Sequence, residues 1–565
     1  MQESQASRSG GSLAVLLVFL AALLLFVFGA SQREIWRNDE HRYVEVGRVM
    51  TLPGESVLVP HLNGEVYAHK PPLFFWGVAG FSQLGLTPGG AGMAVSALAG
   101  ALTVALCFAL GRRLFGLREG LAAAVVLASA EMFLSLALRA NLDALLTACI
   151  TASLYAYWRS EQAREDGSIR RTHWLLTAGF AAGLGVLVKG PVALAIPLSV
   201  IAGHDLLMRR GVSGWDRGRA LALAACLAPV GIWLAAASAE GGIDYARDLV
   251  IGHGVAHPLG GVNKLRPFWY YLSAFPAGFL PWTVALPAAL VSLGRPRRSE
   301  AAFALAWLVA PLLLLSLFPA KRHLYALPVH VGAALVVARW LPQIATSAAG
   351  LRSDRALRAL RRFAQSTLGL AGGVLGLATI GGTLLLLAGR IDLLEALWPR
   401  LELAAWLSPS ARGCALVAGG LLVLAGPALA FGKSERFLLR AALALGVGAS
   451  LFFVSIFHPM ESTAKNVTRF YARVAQLVGD EPLAVYGGKD LAPHWILPRT
   501  RVPRLVSLEQ AEDYGRTAGG QSVWLVARPK TLRRHGRPAG FHEVLGEEQR
   551  PGRPLVLLQS DPTGP

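Results

Sequence analysis

The residues best suited to chemistry lie in one long polar segment, residues 32–75, which contains Asp39 and Glu40 side by side. Two carboxylates at the start of a helical pattern can cap a helix and favour its dipole. A carboxylate can also act as a general acid or base. Arg42 follows the pair closely, and Lys70 lies in a Lys-Pro-Pro turn at the end of the segment. Cations in such positions can hold a phosphate beside a working carboxylate, so the sequence favours the functional interpretation.

The element that holds these carboxylates can be inferred from the apolar spacing that follows them. Tyr43, Val46, Val49 and Met50 recur at helical intervals. Such spacing predicts a short amphipathic helix lying in the membrane interface. Residues 38–40 would begin that helix and place the two carboxylates in its first turn.

The composition of the whole chain limits the function classes that these residues can serve. Of 565 residues, 54% are apolar and 16% are charged, with a mean hydropathy of +0.47. Soluble globular proteins carry about 25% charged residues, so an ordinary soluble enzyme and a disordered chain are both excluded. The net charge of +19 comes from short basic clusters between apolar runs. This distribution is typical of a polytopic membrane protein and does not indicate a nucleic-acid partner.

Apolar runs long enough to cross a bilayer recur along most of the chain. Because a membrane helix needs about 20 apolar residues, the sequence predicts an uncleaved first helix at 11–30 and about 13 transmembrane helices in all. The others start near Ala91, Leu121, Asp143, Trp174, Val192, Ala220, Leu272, Ala301, Leu324, Thr367, Gly413 and Phe437. The weakest of these expectations are the pair interrupted by Lys189-Gly190-Pro191 and the segment 391–411.

The distribution of Lys and Arg between the loops orients the helices. One set of loops holds 23 Lys and Arg residues in 74 positions, and the opposite set holds 14 in 116. The positive-inside rule therefore places the first set and the N-terminus in the cytoplasm. The segment 32–75 and the tail of the chain then lie on the outer face.

A change in sequence character near residue 458 divides the chain into two expected domains. We expect a transmembrane domain over residues 1–457 and a small soluble α/β domain on the outer face over residues 458–565. The tail contains three strand-like runs and one helix-like run that Ser507 would cap. The strand-like runs are 483–486, 523–526 and 555–558.

Several motifs along the membrane region together resemble one family. They are Asp39-Glu40-x-Arg42-Tyr43, Val59-Pro60-His61-Leu62-Asn63-Gly64-Glu65-x-Tyr67, Lys70-Pro71-Pro72-Leu73, Arg139-Ala140-Asn141-Leu142-Asp143, Lys189-Gly190-Pro191, Pro267-Phe268-Trp269-Tyr270-Tyr271, Leu280-Pro281-Trp282 and Lys321-Arg322-His323-Leu324-Tyr325. In this combination they resemble the ArnT-like branch of the GT-C glycosyltransferases, which is related to the protein O-mannosyltransferases. The Asp-Glu segment and Lys-Pro-Pro-Leu together are specific, whereas each alone would be weak.

The resemblance implies a polytopic α-helical GT-C fold in the inner membrane of a bacterium, with the active site on the periplasmic side. It implies a glycosyltransferase that takes its sugar from a polyprenyl (undecaprenyl) phosphate carrier. One candidate reaction transfers 4-amino-4-deoxy-L-arabinose to a phosphate of lipid A. Another sugar, with another lipid, a protein or a glycan as acceptor, stays open.

The resemblance also assigns roles to individual residues. Asp39 and Glu40 are the expected catalytic carboxylates. The expected donor-phosphate ligands are Lys70, Arg139, Lys189 and Arg42, supported by Asp143, Lys321 and Tyr325. In an alternative interpretation, Arg139, Asp143 and Lys189 only mark helix ends among the lipid headgroups, and Arg139 and Asp143 form an ion pair four residues apart. A charge costs far less there than the about 2.5–3.5 kcal/mol at a helix centre.

Two positions depart from the family pattern. His69 stands where an acidic residue commonly precedes Lys-Pro-Pro, and the loop before Pro267 keeps His253 and His257 without the expected Glu. Neutral imidazoles suit zinc, so His69 with His253 or His257 could hold a divalent metal such as zinc. Histidines among headgroups need no metal, so this expectation stays beside the simpler one. These departures leave the sugar and the acceptor open.

Two non-enzymatic functions compete with the glycosyltransferase. The first is a polytopic lipid carrier, flippase or transporter, which would place ionisable residues near the bilayer centre and broken helices in two matching halves. The sequence shows only the break at Lys189-Gly190-Pro191. The second is an assembly scaffold whose working part is the outer tail.

Overall fold

The fold is seen in a computed structural model of the chain. It describes residues 2–163, 168–209, 216–256, 265–293, 298–343, 355–390, 392–393, 407–432, 434–465, 467–487, 496–497, 499, 501–516, 522–546 and 554–560. These residues form two compact units. The first, the membrane unit, comprises Met1–Gln32, Ala68–Phe74 and Met93–His458. The second, which we call the outer unit after the side of the membrane predicted for it, comprises Arg33–Tyr67, Phe75–Gly92 and Pro459–Pro565.

Most of the chain is α-helical, as the apolar runs predict. The helices are α1 Gln2–Ser31, α2 Asn38–Val49, α3 Leu73–Gln83, α4 Pro88–Leu114, α5 Leu117–Ser129, α6 Glu131–Ala137, α7 Leu142–Gln162, α8 Ser168–Lys189, α9 Val192–Leu207, α10 Arg217–Arg247, α11 Tyr270–Gly278, α12 Leu286–Leu293, α13 Ser299–Leu317, α14 Val329–Trp340, α15 Arg355–Leu387, α16 Pro409–Phe431, α17 Glu435–Phe452, α18 His458–Lys465, α19 Thr468–Val478, α20 Leu508–Arg516 and α21 Pro529–His535. Short π-helical segments follow α10 and α17, at Asp248–Ala256 and Phe453–Phe457.

Within the described residues, seven helices are long and apolar enough to cross a membrane. Two bent pairs, α5 with α6 at 71° and α11 with the Trp282–Leu293 segment at 120°, raise the number to nine. The prediction of a multi-span membrane protein is confirmed. All but one of the predicted starts lie in an α-helix, and Leu324 lies in a 3-10 turn before α14. The count of 13 spans stays a prediction, and most of the segment 391–411 lies outside the described residues.

Small residues let the helices of the membrane unit approach closely, as between α15 and α16. A Cβ placed on Gly369 would lie 2.5 Å from the Gly426 carbonyl oxygen, and one on Gly376 would lie 2.8 Å from that of Gly419. Side chains cannot be accommodated at such distances. Helix association in lipid depends on this kind of close backbone packing, because the hydrophobic effect gives little preference for protein over lipid.

The tail of the chain forms a five-stranded sheet in the outer unit. The strands are β3 Leu483–Tyr486, β4 Arg504–Leu505, β5 Trp524–Ala527, β6 Phe541–Gly546 and β7 Val556–Ser560, after a short hairpin of β1 His61–Leu62 and β2 Glu65–Val66. The sheet order is β4-β3-β5-β7-β6, with β3 parallel to β4 and β5, and β7 antiparallel to β5 and β6. The predicted α/β tail is therefore present.

Both faces of this sheet are covered, which explains its strongly apolar strands. Val485 packs with Phe470 and Val474 of α19 on one face. The next residue, Tyr486, packs on the other face, where Leu508 of α20 and Leu532 of α21 also lie. The three predicted strand-like runs coincide with β3, β5 and β7 to within two residues. Ser507 caps α20 as predicted, because its Oγ accepts the Gln510 N–H at 3.2 Å.

Candidate active site

The membrane unit positions Asp143 in the first turn of α7. Asn141 is the N-cap, and its side-chain oxygen accepts the Asp143 N–H at 2.7 Å. Buried Ser96 donates its hydroxyl to the Asn141 carbonyl and accepts the Asn141 N–H, both at 3.2 Å. The Ser96 and Asn141 side chains therefore fix the backbone at the start of the helix, from which the Asp143 side chain extends.

The Asp143 carboxylate forms an ion pair with Lys189, the last residue of α8. The two side chains are 5% and 13% exposed. The Lys189 ammonium also lies 4.6 Å from the centre of the Tyr325 ring, within the range of a cation–π interaction. Gly190 follows with a φ of 80°, a left-handed conformation that ends α8 and turns the chain into Pro191. Asp143, Lys189 and Tyr325 belong to three separate motifs of the sequence, and the fold brings them together.

Lys189 also lines an open cleft in the membrane unit, together with Lys70 and His69. The remaining walls are mostly apolar and come from α8, α10 and the π-helical segment after α10. They include Val186, Leu187, Val230, Trp233, Leu234 and Leu249. Two ammonium groups at an apolar cleft form a suitable environment for a phosphate attached to a hydrocarbon chain.

Two further predicted cations take different positions. Arg139 is buried in the turn between α6 and α7, so it does not share a helix with Asp143. Lys321 is buried and donates its ammonium protons to the backbone carbonyls of Arg266 and Phe318. Lys321 therefore joins the C-terminal end of α13 to the segment before α11.

In the outer unit, Asp39 and Arg42 form an ion pair in the first turn of α2. Burial disfavours the charged form of Arg42. The neighbouring Tyr67, Tyr43 and Asp39 more than offset this effect, so the pKa of the guanidinium is raised. Burial raises the pKa of Tyr67 to about 12. Asp39 is the carboxylate of this group and keeps 20% of its side chain exposed.

Glu40 has a different environment from Asp39 although it is the next residue. Its carboxylate receives two hydrogen bonds from the Arg33 guanidinium, at 2.8 and 2.9 Å, and one from the Arg37 N–H at 3.3 Å. The Arg33 and Glu40 side chains are 2% and 1% exposed. Glu40 therefore holds the start of α2, and Asp39 is the carboxylate of the pair that solvent can reach.

The histidines were predicted as candidate metal ligands. His69 lines the cleft of the membrane unit, His253 lies in the Asp248–Ala256 segment and His257 lies outside the described residues. Among the described residues, no group of three or more His, Cys, Asp or Glu side chains is placed so that it could hold a metal ion. The zinc site stays a prediction.

Sequence reasoning missed several residues that shape the outer unit. Arg33 is the ion-pair partner of Glu40. His41 is also buried, and desolvation lowers the pKa of its imidazole to about 4. The Asn63-Gly64 dipeptide forms the turn of the β1–β2 hairpin, with φ values of 58° and 77°. That dipeptide is a known hairpin signal and could have predicted the turn. The position of Arg33 depends on tertiary packing and left no pattern in the sequence.

Comparison with known proteins identifies relatives of this chain. Residues 69–233 match the family described as dolichyl-phosphate-mannose-protein mannosyltransferase. The chain is 32% identical over 324 residues to the undecaprenyl phosphate-alpha-4-amino-4-deoxy-L-arabinose arabinosyl transferase 2 of Sodalis glossinidius, which covers 56% of this chain and 58% of the relative. It is 33% identical over 331 residues to the corresponding transferase of Pseudomonas aeruginosa strain LESB58, covering 58% and 59%. The matches thus span just under three fifths of these curated relatives.

The fold is shared over nearly the whole length of a solved protein. ArnT from Cupriavidus metallidurans bound to undecaprenyl phosphate superposes with a TM-score of 0.70 at 20% identity, covering 98% of this chain and 99% of that one. Its apo state gives a TM-score of 0.73 at 19% identity, covering 98% and 100%. The chain therefore resembles the ArnT-like GT-C glycosyltransferases in sequence and has the fold of ArnT, as its motifs predicted.

Proposed function

We propose that this chain is a membrane glycosyltransferase that moves a sugar from a polyprenyl phosphate to a lipid acceptor. The donor is undecaprenyl phosphate carrying 4-amino-4-deoxy-L-arabinose, and the acceptor is a phosphate of lipid A. The curated relatives in S. glossinidius and P. aeruginosa carry names that specify this donor. The reaction takes place on the periplasmic side of the bacterial inner membrane, as the distribution of basic residues predicts.

The observation that carries this proposal is the cleft of the membrane unit. Lys70 and Lys189 line it, and the rest of its wall is mostly apolar. Because Asp143 balances the charge of Lys189, the three groups together have one net positive charge. This arrangement suits a polyprenyl phosphate, whose headgroup is anionic and whose tail needs apolar surface.

The reaction forms one bond and breaks another at the anomeric carbon. An oxygen of the acceptor phosphate attacks that carbon, and the bond between the carbon and the oxygen of the polyprenyl phosphate breaks. The bonding electron pair leaves with the polyprenyl phosphate, which gains negative charge as it departs. Lys70 and Lys189 stabilise that charge.

Asp39 has a role that depends on the acceptor. A phosphate monoester is ionised near neutral pH, so Asp39 would orient the acceptor and balance charge without removing a proton. The Arg42 ion pair holds the carboxylate in position for this task. If the acceptor were a hydroxyl group, as in a protein or glycan, Asp39 would be its general base.

Purified protein in detergent, supplied with the donor and with lipid A, tests the proposal. Mass spectrometry should detect lipid A with an added aminopentose, together with released undecaprenyl phosphate. A matched reaction should contain a hydroxyl acceptor peptide in place of lipid A. Transfer to the peptide alone would keep the enzyme class and reject the lipid A acceptor, and transfer to neither would reject the function.

A further inference from the structure

The turn of the β1–β2 hairpin contacts the C-terminal part of the chain through one side chain. The Asn63 Oδ1 accepts the Val502 N–H at 2.8 Å, and its Nδ2 donates to the Val502 carbonyl at 3.2 Å. One amide thus satisfies both backbone groups of one residue, which needs a donor and an acceptor on the same side chain. Asparagine also tolerates the left-handed conformation of this turn, where its φ is 58°.

A second contact reaches the C-terminal end of α2. The Arg48 guanidinium donates to the Glu45 carboxylate at 2.8 and 2.9 Å, and its Nη2 also donates to the Arg499 carbonyl at 3.3 Å. The Arg499 side chain in turn donates to the Gly479 carbonyl at 2.7 Å, in the loop after α19. Arg48 thereby joins the end of α2 to the backbone between α19 and β4.

Further contacts hold the chain that enters α2. The Glu34 N–H donates to the Ser462 hydroxyl at 3.4 Å, and Arg37 lies 3.8 Å from the Glu461 carboxylate. The Lys465 ammonium lies 4.5 Å from the Trp36 ring centre. The residues before α2 are therefore attached to α18, which leads into the C-terminal sheet.

We propose that the C-terminal part of the outer unit, residues 459–560, positions the carboxylate helix α2, and that Asn63 is a positioning residue for Asp39. This inference rests on the proposed transferase function. Contacts at both ends of α2 and at the following hairpin restrict its translation and rotation. A displacement of about 1 Å can lower a reaction rate about a hundredfold, so a helix that carries a reacting carboxylate needs such restraint.

The substitution Asn63→Gly separates anchoring from turn geometry. Glycine keeps the left-handed turn but removes both hydrogen bonds to Val502. We expect kcat to fall about tenfold while the KM for the donor changes less than twofold, because α2 moves and the donor cleft of the membrane unit does not. Hydrogen exchange should become faster in peptides covering 38–50 and at Val502. Glu65→Gln, an exposed change on the same hairpin, serves as the matched control and should leave all three quantities unchanged.

Two further measurements keep the inference testable. If Asn63→Gly fails to fold, Arg48→Lys takes its place. This variant keeps a positive charge beside Glu45 but loses the planar guanidinium that also reaches Arg499, so it should show the same changes in kcat and hydrogen exchange. Unchanged kcat and unchanged exchange at 38–50 in a folded Asn63→Gly protein would overturn the positioning role. If the wild-type protein transfers no sugar, the proposed function falls, and the exchange data alone decide whether Asn63 holds α2.

Discussion

The ion pair between Asp143 and Lys189 allows stability and donor binding to be separated by substitution. Its side chains are 5% and 13% exposed, so removing one partner leaves the other charge largely buried. We expect Asp143→Asn and Lys189→Met each to lower the free energy of unfolding by about 3–5 kcal/mol. The double variant removes both charges, so it should recover about 2–3 kcal/mol of that loss.

Activity should follow a different pattern from stability in the same four proteins. If Lys189 stabilises the leaving phosphate, Lys189→Met should lower kcat by about 10²–10³, and the double variant should be no more active. Asp143→Asn keeps the ammonium and should lose less activity than either. We therefore predict that the double variant recovers part of the lost stability but does not recover sugar transfer.

The assay combines thermal unfolding in detergent with transfer rates measured by mass spectrometry on the folded fraction. Arg171→Met removes the Arg171–Asp216 ion pair, whose acidic side chain is 40% exposed, and serves as a control that should cost less than about 1 kcal/mol. A double variant with full activity would refute the role of Lys189 in binding phosphate. Additive losses of stability would refute the buried ion pair.

Three further predictions concern the outer unit and the orientation of the chain. Glu40→Gln should lower the free energy of unfolding by about 3–5 kcal/mol, because it breaks the buried ion pair with Arg33. Asp39→Asn should abolish transfer but lower the free energy of unfolding by less than about 1 kcal/mol. Since burial lowers the pKa of His41 from 6.5 to about 4, stability is complete above pH 6.5 and should fall by about 2 kcal/mol by pH 5, and His41→Gln should remove most of this fall. A cysteine replacing Glu55 should react with an impermeant thiol reagent added outside, and one replacing Glu165 should not; the reverse labelling would invert the topology.

Regular elements with a clear period were predictable from the sequence. The helical spacing of Tyr43, Val46 and Val49 predicted α2, which begins at Asn38 as expected. Strands β4 and β6 were missed for physical reasons. β4 has two residues, too few to show a period, and a bulge between Glu543 and Leu545 interrupts the alternation of β6.

Residue types at the candidate site were predictable, but their partners were not. Lys189 and Asp143 are 46 residues apart in sequence, and only the packing of α7 against α8 brings them together. Asp39 and Glu40 are neighbours that the sequence treats alike. Successive residues on a helix point about 100° apart, so Glu40 faces Arg33 in the interior while Asp39 meets Arg42 nearer the surface.

Lipid analysis of cells can decide the claim that the chain adds an aminopentose to lipid A. Mass spectrometry should compare lipid A and polyprenyl phosphates from cells with the wild-type protein, without it, and with Asp39→Asn. We predict that lipid A loses the mass of an aminopentose on phosphate in both the deletion and the variant, while the loaded undecaprenyl phosphate accumulates. Lipid A that is the same in all three strains would contradict the claim, and accumulation of a different polyprenyl-phosphate sugar would identify another donor.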